Sequence, residues 1–163
     1  MGTSDSDKKT TGLSLDDFMP YRLSVLSNAV SRSIAGIYEK EFDITIGQWR
    51  VIAVLGEATA LTSTEVATRT VMEKPAVSRA TASLLERGLI DRTPDNADRR
   101  RAPLKLTRAG RAIYDAVIPL ALECERELLS SLSGEEVTQL RTLLDKLAEA
   151  ASPQRRLWQV SET

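Results

Sequence analysis

Between Thr62 and Arg111 the chain places two short helical patterns, an arginine-loaded hairpin and a new helix start in immediate succession, and that order leaves few folds open. The first pattern opens Thr62-Ser63-Thr64-Glu65, a Thr-x-x-Glu reciprocal cap that satisfies two backbone donors at a helix start. After Val71-Met72-Glu73-Lys74 comes Pro75, whose missing N–H costs nothing in a first helical turn, so a second helix is predicted from there. Val77, Thr81, Leu84 and Leu85 share one side of it. Ser78, Arg79, Ala82 and Ser83 point largely the other way. A helix with one apolar face and one small, polar and basic face suits close approach to a DNA major groove, and Lys74, Ala76, Ser78, Arg79 and Ser83 are the predicted recognition surface. Gly88 is the expected left-handed stop, with Leu89 making the accompanying apolar contact.

A hairpin is predicted next: Leu89 to Thr93, a polar tip from Pro94 to Arg101, and a return from Ala102 to Thr107. Arg99, Arg100 and Arg101 repel one another and gain nothing from a core, so a polyanion is the natural partner. A narrow, negative minor groove attracts inserted arginine, which makes Arg99 and Arg100 the minor-groove candidates. Asp98 is placed to orient Arg100 through a paired contact.

Taken together, the Thr-x-x-Glu helix, Lys74-Pro75-Ala76-Val77-Ser78-Arg79, Leu85-Glu86-Arg87-Gly88-Leu89-Ile90, Asp95-x-x-Asp98-Arg99-Arg100-Arg101 and Leu104-x-Leu106-Thr107-x-x-Gly110 resemble the MarR family of bacterial transcriptional regulators. The resemblance runs from about Leu13 to about Ala151. It implies a homodimer of winged-helix subunits, a pseudo-palindromic double-stranded DNA operator and, as in many members, release by a small effector. Pro103, inside the returning strand, departs from the pattern and is expected to shorten the ladder by removing a donor.

The expected fold is therefore mainly α with a small β-hairpin wing, a winged helix-turn-helix with flanking dimerisation helices. Its parts are a disordered tail over 1–12, one domain over 13–151 and a C-terminal tail over 152–163, in which Trp158 is free to dock or not. Within the domain, 13–41 and 108–151 are the dimerisation helices and 44–107 the winged unit. Ser14-Leu15-Asp16-Asp17 is predicted to start the first helix, with Leu23, Leu26, Val30, Ile34 and Ile37 as its stripe. A second helix follows Ile44-Thr45, with Trp49, Ile52, Ala53 and Gly56 inward. Thr107 is the expected N-cap of a helix striped by Ile113, Val117, Leu120, Cys124 and Leu128 and kinked at Pro119. Ser133 to Glu136 caps the last helix, whose Val137, Leu140, Leu144, Leu147 and Ala151 are spaced like heptads. These outer stripes need a partner surface, and a second copy of the chain supplies one.

Net charge is −1, which looks unfavourable for DNA until the charge is located. Residues 1–67 carry six Lys/Arg against nine Asp/Glu, residues 68–111 eleven against five, and residues 112–163 five against nine. A basic centre between acidic ends is the footprint of a local phosphate-binding surface. With no His and a single Cys, the usual metal clusters, Ser-His and Cys-His dyads and an intrachain disulfide are excluded, so no cofactor and no catalysis are expected. Cys124 reads as a buried structural thiol beside Glu123, Glu125 and Glu127. The polar N-terminal stretch is no signal peptide or anchor, which points to a cytoplasmic protein.

The resemblance further implies a small aromatic acid bound between the dimerisation helices and the winged unit. Arg22, Tyr38, Trp49 and Arg50 have the chemistry for it, a guanidinium forking a carboxylate while an aromatic face stacks on a ring. The reading is a repressor released by such an effector. The rival reading, a winged-helix module that assembles proteins without touching DNA, would leave the wing short and uncharged.

Overall fold

The computed structural model describes residues 12–92 and 102–151, which form six helices and one two-stranded antiparallel hairpin. The expectations for the tails, for Trp158 and for the wing tip with Asp98 to Arg101 lie outside the described residues. The elements are α1 (Met19–Phe42), α2 (Ile46–Glu57), α3 (Ser63–Thr70), α4 (Lys74–Glu86), β1 (Ile90–Arg92), β2 (Leu104–Leu106), α5 (Arg108–Leu129) and α6 (Gly134–Ala150). This is the winged helix-turn-helix with flanking helices that the sequence predicts. Two compact units divide at Leu120, one residue past Pro119, which sits inside an α5 that continues through it.

Local chemistry starts and stops most of these helices. Thr45, Thr62 and Ser133 each accept from the N3 amide while the N3 side chain, Gln48, Glu65 or Glu136, accepts from the cap amide. At the end of α4, Gly88 takes φ 64°, its N–H donates to Leu85 O and the Leu89 N–H donates to Leu84 O. That is the predicted left-handed stop, with Leu89 buried. Thr107 joins three elements: its Oγ1 accepts from the Gly110 N–H at 3.1 Å and donates to the Gly88 carbonyl at 2.8 Å. Gly110 has no room for a side chain, because a Cβ there would lie 1.9 Å from Leu89 O.

Ser14 to Asp17 does not open α1. Those residues form a turn in which the Asp17 N–H donates to Ser14 O and the Phe18 N–H to Leu15 O, and the helix begins at Met19 with Pro20 in its first turn. A helix begun at Ser14 would place Pro20 in its interior, where the ring clashes and a donor is lost, whereas the first turn tolerates it. The inward face of α2 is also rotated from the expectation: Gln48, Val51, Ile52 and Leu55 are buried, while Trp49, Ala53 and Gly56 are only partly covered.

The core of the first unit gathers Tyr38, Ile44, Ile52, Leu55, Val66, Leu84, Ile90, Leu104 and Val117, all fully buried. In the hairpin Ile90 pairs with Leu106, Asp91 with Lys105 and Arg92 with Leu104. Strand β2 begins directly after Pro103. Leu61, just before α3, exchanges both backbone bonds with Leu104, so the wing is tied to the helix-turn-helix through a third backbone segment.

In the second unit α6 contains no buried residue, and Arg141 reaches Glu125 at 3.5 Å, an exposed pair that contributes little. Cys124 is half-buried rather than buried within the single chain. Among the described residues no helix is long and apolar enough to cross a membrane.

Candidate nucleic-acid interface

Helices α3 and α4 are joined by Val71, Met72 and Glu73, with Val71 in the left-handed region at φ 53°. Val66 and Thr70 anchor α3, and Val77, Ala80, Thr81 and Leu84 anchor α4. The two buried threonines leave no hydroxyl unpaired: Thr70 donates to Val66 O and Thr81 to Val77 O, both at 2.7 Å. One face of α4 is thereby fixed to the core, and Lys74, Pro75, Ser78, Arg79, Ala82 and Glu86 remain exposed on the other.

The five predicted recognition residues divide over this surface. Lys74, Ser78 and Arg79 are exposed. Ala76 and Ser83, seven residues apart and so on one flank, turn toward α2 and are half-buried. Ser83 Oγ accepts from Gln48 Nε2 at 2.8 Å, which commits it to helix packing. Ala76 lies beside Thr45, Gly47, Gln48 and Met72 in a shallow groove. The opposite flank opens a cleft of about 330 Å³, lined by Ser63, Thr64 and Ala67 from α3, Lys74, Ser78 and Ala82 from α4, and Arg92 from β1. Arg92 was not among the sequence candidates. Its signal was available, an arginine on the strand leading directly into the basic tip. Among the described residues no ion pair engages Lys74, Arg79 or Arg92.

The four effector candidates do not converge within one chain. Tyr38 is buried and stacks on Trp49 with ring centroids 5.5 Å apart, and Trp49 stacks in turn on Tyr114 at 6.3 Å. Arg111 completes the series, 4.9 Å over the Tyr114 ring, while also donating to Gly56 O at 3.0 Å. Burial, reinforced by Glu39 and opposed by Arg50, pushes the Tyr38 phenol up to about 12. Arg50 is exposed beside this stack. Arg22 precedes Tyr38 by sixteen residues on the same helix, so about 24 Å of helix axis separates them. Among the described residues no three His, Cys, Asp or Glu side chains cluster to hold a metal.

Comparison with known proteins follows the same outline. A family model described as MarR family matches residues 42–101. The transcriptional regulator HosA of Escherichia coli O111:H- is 31% identical over 108 residues, covering 66% of this chain and 80% of HosA. The homoprotocatechuate degradative operon repressor of Escherichia coli is 25% identical, over 66% of this chain and 72% of the repressor. Among solved structures, MepR of S. aureus in its complex with DNA superposes with a TM-score of 0.76 at 28% identity, covering 83% of this chain and 99% of MepR.

Proposed function

This chain belongs to the MarR family of transcriptional regulators, and from that premise we propose that it is a dimeric, sequence-specific repressor of a pseudo-palindromic operator, released by a small aromatic acid. The observation that carries DNA binding is the face of α4 on which Lys74, Ser78 and Arg79 stand clear of the core. That face lies in the part of the chain, residues 68–111, where the charge balance is +6. In this reading α4 enters the major groove, Lys74 and Arg92 meet phosphates, and Ser78 and Arg79 face base edges. Arg99 and Arg100 take the adjacent minor groove, with Asp98 as the orienting partner and Arg101 on the backbone. The protein acts by occupancy, without catalysis.

Repression and an aromatic effector are supported by the name of one relative, a repressor of a degradative operon for homoprotocatechuate, itself an aromatic acid. The effector is proposed to sit near Trp49, with Tyr38 and Arg50 at hand and Arg22 too distant to share it. It must favour an arrangement that the operator does not, since equal affinity for both shifts nothing.

Selection from random DNA duplexes by the full chain tests the proposal. A pseudo-palindrome with half-sites roughly 10 base pairs apart is expected. On that operator Arg100→Ala should lose about 1–3 kcal/mol of binding, and Arg99→Ala should also weaken it. Aromatic carboxylates should release the wild type and release Trp49→Ala less well. Absence of any enriched duplex, with the dimer intact, would favour the protein-assembly reading.

A further inference from the structure

The guanidinium of Arg87 spans two helices that have separate tasks. Arg87 is the C-cap of α4, and its Nη1 donates to Asp43 O at 2.6 Å while its Nη2 donates to Phe42 O at 2.7 Å. Both acceptors are carbonyls at the C-terminal end of α1, where Asp43 turns left-handed at φ 53° and the chain leaves the helix. Carbonyls at a helix end lack intrahelical donors, and the end of a 24-residue helix carries partial negative charge, so a cation donating two bonds there satisfies both. A planar, forked donor can reach two neighbouring carbonyls at once; an ammonium cannot do so with the same geometry. The Arg87 backbone is itself fixed, because its N–H donates to Ser83 O and Gly88 closes the turn behind it.

We propose that Arg87 is a positioning residue for DNA recognition, a clamp that sets the direction of α4 relative to α1. The inference rests on the DNA-binding reading above and adds to it a residue that touches no DNA. Its logic is geometric. Helix α1 leaves Met19, Leu23 and Leu26 uncovered along its N-terminal half, as a helix does that is to be buried by a second copy. Helix α4 carries Lys74, Ser78 and Arg79. A joint between the ends of these two helices therefore fixes where each recognition face sits relative to the two-fold axis, and with it the half-site spacing the dimer accepts.

The experiment compares wild type, Arg87→Ala and Arg87→Lys as full chains on the operator selected above, on operators with half-sites moved by one base pair, and on unrelated duplex, across a salt series. Circular dichroism and light scattering establish that each is folded and of wild-type assembly. Arg87→Ala is expected to lose about tenfold or more in operator affinity, to discriminate less between spacings, and to keep its affinity for unrelated duplex and its salt slope. Arg87→Lys, which keeps the charge and one donor direction, should recover part of the loss and remains informative if the alanine variant does not fold. A salt slope lowered by about one, with equal loss on every duplex, would make Arg87 a phosphate contact and overturn the clamp. Wild-type affinity and spacing preference in both variants would overturn it too, leaving the DNA-binding reading intact. A wild-type chain that selects no duplex overturns both.

Discussion

Val71 holds the turn between α3 and α4 at φ 53° with its side chain 90% exposed. A β-branched residue in the left-handed region is strained, by roughly 1–2 kcal/mol, and one so exposed recovers almost nothing by packing. Glycine relieves that strain but widens the unfolded ensemble, an opposing cost of about 0.4–1 kcal/mol. Val71→Gly is therefore expected to stabilise the protein by roughly 0.5–1 kcal/mol, read as a raised midpoint in urea or heat. A lowered midpoint would mean that the valine makes a contact in the assembled protein. Ser83 shows how a residue's task depends on its neighbour: as a small polar residue on α4 it suits base recognition, yet the Gln48 amide claims its hydroxyl. Gln48 both closes the capping box of α2, its Oε1 accepting from the Thr45 amide, and donates through Nε2 to α4, a double use that no local pattern displays.

At the scale of elements, two boxes depend on carboxylates. Glu65 and Glu136 each accept from the backbone amide and the side-chain hydroxyl of their cap residue, Thr62 or Ser133, and those bonds hold both carboxyls below their ordinary value of 4.5. A carboxyl whose folded value is depressed lends stability above its unfolded value, and that stability is lost as pH falls through the folded one. The starts of α3 and α6 should thus loosen as pH falls below 4.5, seen as faster exchange of the Thr62 and Ser133 amides once intrinsic acid effects are subtracted. In a Glu65→Gln, Glu136→Gln variant the amide oxygens still accept, so this acid dependence should vanish while the helices persist. Unchanged acid loosening in that variant would assign it to other groups. These caps were legible in the sequence because every atom of them lies within four residues. So were the Gly88 stop, the Thr107 cap and the core face of α4. What escaped was non-local or competitive. Pro20 overrules the Ser14 start, Leu61 pairs with Leu104 forty-three residues further on, and Tyr114 and Arg111 complete a stack of which only Tyr38 and Trp49 are legible in the sequence.

For the whole molecule, the long helices remain unfinished in a single chain. In the first unit Phe18, Met19, Leu23 and Leu26 are 37–55% exposed, and in the second unit Leu140, Leu143, Leu144 and Leu147 are 37–56% exposed on a helix with nothing buried. Each large apolar side chain moved out of water contributes about 1.5–3 kcal/mol when fully covered, so stripes of this kind favour association, and a two-fold pairing covers both copies at once. The Arg87 clamp and the aromatic stack attach α1 to the winged unit, so pairing through α1 would carry two recognition faces into one fixed spacing. Light scattering at micromolar concentration is expected to give a dimer. Leu23→Glu and Leu144→Glu, which place a charge in each stripe, should shift it toward monomer and weaken operator binding far more than binding to unrelated duplex, because each half-site is then met independently. A wild-type monomer that protects a single asymmetric site would show that these stripes serve something other than self-association.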